Sequence, residues 1–340
     1  MTAMTTGNTP TGLELLQSEM ARQHRDALVS LDTNQQRASE IAKHAKTTGR
    51  LLLLGMGASH WINRVAEPLY RAAGIDATAQ PLSEYLRAPI AGKQTVILTS
   101  QSGGSGEIIR YLDTAESTDG IFGLTLDPLS PLADRVPSLI GAGEVEKGFA
   151  ATRSLLLSLA MHGAVLACLG QPLDDLKAYL NAPSKYEDAA VVSHLSESDC
   201  VILSSRGVLQ GVADAGSLYF MELARIPAFS LEGGQFRHGP FEMLRKGIGV
   251  VLLCPSDNDS ESVRRLAEEC FAADVTPVIF DMSGKDAVPD ALTISMPPYT
   301  GITAAAAGLV AMQETLLKAA ATMVPDVGTP IRSTKVTDGE

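Results

Sequence analysis

Thr95-Val96-Ile97-Leu98-Thr99-Ser100-Gln101-Ser102-Gly103-Gly104-Ser105 is the stretch that decides the fold. Its first five residues are continuously apolar or β-branched, as in a parallel strand covered on both faces rather than one with a wet side. The following Glu107-Ile108-Ile109-Arg110-Tyr111-Leu112 reads as a helix. The small-residue turn between them places backbone N–H groups and three hydroxyls at a helix N-terminus. Unpaired N–H groups and the helix dipole both favour an anion such as phosphate there. An ordinary βα turn has the same composition, so this segment alone leaves both readings open.

The same strand–turn–helix order extends in both directions. A capping box, Thr11-Gly12-Leu13-Glu14, opens a helix expected to run to about residue 31. A second helix is expected over 34–46, stopped by Gly49. Leu51-Leu52-Leu53-Leu54 reads as a buried strand, Gly55-Met56-Gly57-Ala58-Ser59 as a turn, and residues 66–73 as helix. Strands are expected over 75–80, 121–126 and 138–140, and a helix over 152–169. About 150 positions on, the order returns: Val201-Ile202-Leu203, a turn at Ser204-Ser205-Arg206-Gly207, a strand over 248–253, a turn at Pro255-Ser256-Asp257, a strand over 278–280 and a helix over 303–322. The expected organisation is helices over 1–48, an α/β unit over 49–173, a helical link over 174–197, a second α/β unit over 198–325 and a tail over 326–340. Two units of one parent design follow, each a mostly parallel sheet flanked by helices in a flavodoxin-like three-layer sandwich.

Composition excludes several functions. Forty-five per cent apolar and 19% charged residues give ample core and argue against disorder. A net charge of −12 with no dense Lys/Arg run argues against nucleic acid or an anionic membrane as partner. The four cysteines are scattered without a CxxC, and the histidines lack metal-ligand spacing, so no metal site is expected. Residues 1–10 are polar and carry no signal-peptide core, and no apolar run is long enough to span a bilayer. A cytoplasmic protein with buried free thiols is expected. Gly55-Met56-Gly57 begins like a dinucleotide fingerprint, but His60 stands at its third glycine position and no acid ends the next strand near Gln80. A Walker loop and a GxSxG elbow are both absent from the sequence.

Three residues stand out for chemistry. His238 lies in Gly233-Gly234-Gln235-Phe236-Arg237-His238-Gly239-Pro240, a stiffened loop suited to proton transfer, or to a structural histidine bonding local carbonyls. Glu222 interrupts an apolar helix stretch and is either on its wet face or a tuned acid–base group. Lys335 lies in a polar tail, where a solvated residue is the default. His60 could face an anion at the first turn, or cap and pack.

Taken together, GMGAS, SQSGGS, EKGFAATRS, MELARIPAFSLEGGQFRHGP and the terminal KVT resemble the sugar isomerase (SIS) domain family. The resemblance covers nearly the whole chain and is strongest to two-domain members: the isomerase half of glucosamine-6-phosphate synthase, the sugar-phosphate deaminases and the deglycases of Amadori compounds. Glu19-Met20 and Gln23 also look like the family's N-terminal helix. The resemblance implies two tandem SIS domains. It implies Ser100, Gln101, Ser102 and Ser105 around a sugar phosphate, Ala58 and Ser59 close by, and Ala150 and Ala151 along the sugar. Glu222 would match the base moving a proton between C1 and C2. His238 would match the ring-opening histidine, which the family supplies from the partner subunit of a homodimer, and Lys335 the lysine whose tail closes the site.

The chain departs from the synthases and deaminases at Tyr219 and Met221, where they carry lysines, at Ala58 in place of Thr and at Gly104 in place of Glu. Its His238-Gly239-Pro240-Phe241-Glu242 is closer to the deglycase-like members. No glutaminase-type cysteine opens the chain, so ammonia or amine release is expected rather than amide transfer. The resemblance therefore implies a cofactor-free enzyme that isomerises an amino-sugar phosphate and cleaves its C–N bond. A plain phosphosugar isomerase or a non-catalytic sugar-phosphate sensor is the alternative.

Overall fold

The computed structural model describes residues 10–335. The polar start over 1–9 and Val336-Thr337 of the C-terminal motif lie outside the described residues.

Three helices precede the first sheet: α1 (Gly12–Met20), α2 (Gln23–Thr33) and α3 (Gln35–Thr48). The capping box forms as expected: Thr11 accepts from Glu14 N, and the Glu14 carboxylate accepts from Thr11 N at 2.7 Å. The single helix expected to residue 31 is instead broken at Ala21 and Arg22. The break lets Glu19 accept from Lys147 N at 2.5 Å while Arg22 reaches Glu144 at 2.6 Å. Tertiary partners thus outweigh the propensity for one continuous helix.

The first unit runs β1 (Arg50–Gly55), α4 (Gly57–Ala72), β2 (Asp76–Pro81), α5 (Leu82–Arg87), β3 (Thr95–Thr99), α6 (Gly106–Thr114), β4 (Ile121–Thr125), α7 (Pro131–Arg135), β5 (Ser138–Ile140) and α8 (Arg153–Cys168). Helices α9 (Asp174–Asn181) and α10 (Ala189–Ser196) form the link. The second unit runs β6 (Cys200–Ser205), α11 (Val208–Ala224), β7 (Ala228–Glu232), α12 (Gly233–Arg237), β8 (Ile248–Cys254), α13 (Ser260–Phe271), β9 (Pro277–Asp281), β10 (Leu292–Ser295) and α14 (Gly301–Met323). The sheets have orders β2-β1-β3-β4-β5 and β10-β9-β8-β6-β7. Read from its other edge, the second is the first repeated, and every pairing is parallel.

The alternation of strand and helix explains the parallel sheets, because each helical crossover returns the chain to the same end of the sheet before the next strand begins. The core has three parts. Leu52, Leu54, Leu98 and Ile108 pack the outer face of the first sheet under α5 and α6. Ile202, Val250, Leu252 and Leu266 do the same for the second under α13. The inner faces share one large core with α4, α8, α11 and α14 between them. Gly211 shows how closely α11 approaches α4: a Cβ there would lie 2.6 Å from Val65 N and 3.0 Å from Arg64 C, both backbone atoms.

Two local expectations change. The short edge strand β10 has no counterpart in the sequence reading, since four half-buried residues give little pattern. The Gly233–Pro240 segment is not a loop throughout. Glu232 accepts from Gly234 N at 2.9 Å and Gln235 N at 3.0 Å, which caps α12 and leaves His238 at its C-terminal end. All four cysteines are free; Cys254 and Cys270 are buried and the other two partly so.

Candidate functional site

A strand order of this kind reverses direction between β1 and β3, and ligands of open α/β sheets collect beyond the carboxyl ends of strands at such a point. The turns leaving these two strands are the GMGAS and SQSGGS segments. Between them and α11 lies a cavity of about 760 Å³, within the range of small-molecule sites.

The SQSGGS turn is rigidly built. Gly103 has φ +60° and donates to Ser100 Oγ at 3.1 Å. A Cβ on Gly103 would sit 2.3 Å from Ser130 Oγ, so glycine is required both by conformation and by space. The carbonyl of Gln101 accepts from Leu126 N at 3.1 Å and Thr125 Oγ1 at 3.2 Å, and that of Gly103 accepts from Leu132 N at 3.1 Å. These bonds tie the turn to β4 and α7. Ser105 is the N-cap of α6, yet its side chain makes no capping bond. Gln101 Nε2 is a buried donor with no partner among the described residues. Hydroxyl, amide and helix-end donors therefore converge on the cavity, which Ser100, Gln101, Ser102 and Ser105 line together with Ala58 and Ser59.

The opposite wall is one face of α11. Leu218, Met221, Glu222 and Arg225, spaced to fall on one side of a helix, all line the cavity. Tyr219 points the other way and is buried in the core, so of Tyr219 and Met221 only Met221 faces the cavity. Glu222 makes no hydrogen bond or ion pair among the described residues. Burial raises its pKa to about 7; the Lys335 ammonium draws it down and Glu146 pushes it further up. A carboxyl poised near neutrality, with no hydrogen-bond partner among the described residues, suits proton transfer.

A third wall comes from the β5–α8 connection and the end of the chain. Residues 329–335 run along the cavity as a strap. Arg225 holds its base, donating to Thr329 O at 2.8 Å and pairing with Asp326 at 2.9 Å. Lys335 donates to Glu146 Oε2 at 3.3 Å and to the Gly148 carbonyl. The tail lysine is thus seated inside the site rather than solvated. Glu146 is itself buried. Burial would raise its pKa, but Lys335 and the hydrogen bonds from Ser154 and Thr152 hold it below the ordinary value.

Two expected site residues fall elsewhere. Ala150 is fully buried and does not line the cavity; its neighbours Phe149 and Ala151 do. His238 is exposed and outside the cavity lining. His60 also stays out of the lining: it is buried against Trp61 with ring centroids 4.9 Å apart, and burial lowers its pKa to about 4, with Arg64 adding to this. Glu146 and the strap residues before Lys335 were missed in the sequence. Glu146 lay in the quoted EKGFAATRS, but no local pattern aims it into a cavity. Among the described residues no cluster of His, Cys, Asp and Glu could hold a metal ion, and no helix is long and apolar enough to cross a membrane.

The SIS domain family matches residues 194–323, the stretch built around the second sheet, so the two-domain expectation is met by that match in one half. Glutamine–fructose-6-phosphate aminotransferase of Methanocaldococcus jannaschii is 22% identical over 253 residues, covering 70% of this chain and 23% of that protein. Its namesake from Xanthomonas campestris is 25% identical over 241 residues, covering 64% of this chain and 38% of that protein. The chain therefore spans between about a quarter and two fifths of the length of these relatives. Among solved structures, the C-terminal domain of glucosamine-fructose-6-phosphate aminotransferase from Francisella tularensis superposes with TM-score 0.77 at 16% identity, covering 94% of this chain and 98% of that one. Tagatose-6-phosphate ketose/aldose isomerase from Escherichia coli gives 0.76 at 20%, covering 98% and 99%. Glucosamine-6-phosphate deaminase from Thermotoga maritima gives 0.69 at 17%, covering 92% and 99%. At these identities the likeness is one of fold.

Proposed function

We propose that this chain is a phosphosugar-processing enzyme of two tandem SIS domains that isomerises an amino-sugar phosphate and cleaves its C–N bond. One observation carries the reading: a single cavity sets a donor-rich turn at the N-terminus of α6 against a free carboxyl whose pKa lies near 7. The repeated strand order of the two sheets supports the tandem arrangement. The names of the proteins sharing the fold, an aminotransferase, a ketose/aldose isomerase and a deaminase that each name a sugar phosphate, support the substrate class.

In this reading Ser100, Gln101, Ser102 and Ser105 hold the phosphate, with Ala58 and Ser59 beside it, and the sugar carbons extend along Ala151 toward Glu222. With a 2-amino aldose, the Glu222 carboxylate takes the proton from C2, and the electron pair of that C–H bond forms the C1–C2 double bond as the C1 oxygen is protonated. The same carboxyl returns the proton to C1, and water hydrolyses the C2 imine to a ketose phosphate and ammonia. With a 1-amino ketose the shuttle runs from C1 to C2, and water at the C1 imine releases the amine and an aldose phosphate. The Lys335 ammonium steadies negative charge developing on the oxygen. Ring opening falls to His238 of a second copy in a homodimer, in keeping with its exposure outside this chain's own cavity. No cofactor takes part, and a reducing cytoplasmic setting agrees with four free thiols.

The test is incubation with glucosamine 6-phosphate and with 6-phosphorylated fructosyl-amino acids, measuring ammonia, free amino acid and sugar phosphate. Release of ammonia or amino acid in step with sugar phosphate is expected. Interconversion of aldose and ketose phosphates without nitrogen release would reduce the activity to plain isomerisation. Binding that protects the fold against heating, without any turnover, would make the chain a sensor.

A further inference from the structure

We infer that Glu146 is a positioning residue that clasps Lys335 and thereby seats the strap over residues 329–335 across the cavity, with the ammonium beside Glu222. The kinetic part of this inference rests on Glu222 being the base; the clasp itself does not.

Of the three carboxyls that line the cavity, Glu107, Glu146 and Glu222, the last two are held in opposite ways. Glu146 is committed to the protein. Its Oε1 accepts from Thr152 N and Thr152 Oγ1, both at 2.9 Å, and from Ser154 N at 3.2 Å. Its Oε2 accepts from Ser154 Oγ at 2.6 Å and from Lys335. Two of these donors are main-chain N–H groups at the start of α8, a 16-residue helix, so the helix end also favours the anion. A carboxylate with its lone pairs filled and 2% of its surface exposed is poorly placed to exchange protons with a substrate. It is well placed to present one fixed negative charge to whatever reaches it. What reaches it is Lys335, the last described residue of the strap, whose other bond is to the carbonyl of Gly148. Glu19 fixes the loop carrying that carbonyl, accepting from Lys147 N at 2.5 Å and Gly148 N at 3.3 Å. A receptor for an ammonium is thus built from the β5–α8 loop, the start of α8 and the end of α1.

The far end of the strap is held by Arg225, one turn beyond Met221 on α11. At the other end of the described strap, Lys335 is held by Glu146 and the Gly148 carbonyl. Glu222 faces Lys335 from the strap and Glu146 from the loop, while Arg225 on the following turn is taken up by Asp326 and Thr329. A bystander carboxylate and a clasp then predict opposite effects. Removing a bystander would relieve repulsion and lower the Glu222 pKa. Removing a clasp also removes the ammonium, the stronger of the two influences, and raises it.

The test uses the full chain with Glu146→Gln, Glu146→Asp, Lys335→Gln and the double variant. Tryptic cleavage after Arg332 is expected to quicken roughly tenfold or more in Glu146→Gln and in Lys335→Gln, the scale of a lost charge-assisted hydrogen bond. The double variant should be no faster than Lys335→Gln, because that substitution already removes the Lys335–Glu146 contact. Glu146→Asp should recover part of the protection. With a turned-over phosphosugar, Glu146→Gln should lower kcat more than it raises KM and move the acid limb of the pH–rate profile upward. Wild-type cleavage rates in either single variant, or an acid limb moved downward, would overturn the clasp. If Glu146→Gln does not fold, Lys335→Gln on the exposed strap decides by the same cleavage. If wild-type protein turns over no phosphosugar, the proposed activity fails while the cleavage rates still judge the clasp.

Discussion

Glu222, the proposed base, also ties stability to pH. Its folded pKa, about 7, lies above the ordinary carboxyl value because burial disfavours the anion. Between the ordinary value and about 7 the folded state holds more protons than the unfolded one, so this group makes stability fall as pH rises through that window. Glu222→Gln should therefore raise the melting temperature at pH 8 and leave it unchanged near pH 4. A gain on the order of 2 kcal/mol is expected after discounting for its partial exposure. The same substitution should lower turnover by about 10²–10⁴-fold, the usual contribution of a general acid–base group, while phosphosugar binding persists. Unchanged turnover would remove Glu222 from the mechanism. The sequence singled out this residue as an acid in an apolar helix but left it open between a wet face and a tuned group. The choice depended on which side of α11 meets the strap, and no local pattern contains that.

At the scale of elements, the cavity depends on two glycines with different physics. Gly103 needs a left-handed backbone and has Ser130 against it. Gly103→Ala should distort the SQSGGS turn, raise KM for a phosphorylated substrate roughly tenfold or more and destabilise the fold by about 1–3 kcal/mol, read by urea unfolding. A wild-type KM would take the phosphate away from this turn. Gly211 has an ordinary helical backbone, but α4 lies against it. Gly211→Ala should push α11 from α4 and lower stability by about 1–3 kcal/mol through overpacking. Because those helices carry opposite walls of the cavity, kcat should fall as well. The elements themselves were largely legible: strand β3, strand β5 and the helical link fell where apolar runs, glycine stops and the turn residues put them. Helix α1 ended early because Glu19 and Arg22 bind the distant loop at 144–148, and β10 escaped because an edge strand of four residues has too short a period to read.

At the scale of the whole molecule, pH and assembly give the remaining expectations. His162 is fully buried between Tyr70 OH at 3.1 Å and Asn63 Oδ1 at 3.3 Å, and burial lowers its pKa to about 3; that of His60 falls to about 4. Both stay neutral in the folded state while the unfolded chain takes up protons below the ordinary histidine value of 6.5. Stability should therefore drop by up to about 1.4 kcal/mol per pH unit for each as pH falls below about 6.5. His162→Gln should flatten that slope in melting curves; an unaltered slope would mean the histidine is not the titrating group. If the site is shared between copies, inactive Glu222→Gln and His238→Asn proteins, unfolded and refolded together, should recover about a quarter of wild-type activity, because half the dimers then hold one intact site. No recovery would leave His238 to its own subunit. The sequence by itself determined the α/β class, the repeated strand–helix order and the small-residue turn after β3, because these follow from local periodicity, glycine placement and spacing along the chain. Only the tertiary structure decided that residues near 58, 100, 146, 222 and 335 form one cavity, that Ala150 and His238 stand outside it, and that Glu146 rather than solvent receives Lys335. Those outcomes depend on long-range packing of α4, α8, α11 and the strap, which sets side-chain direction and desolvation together, and neither is written in any short stretch of the chain.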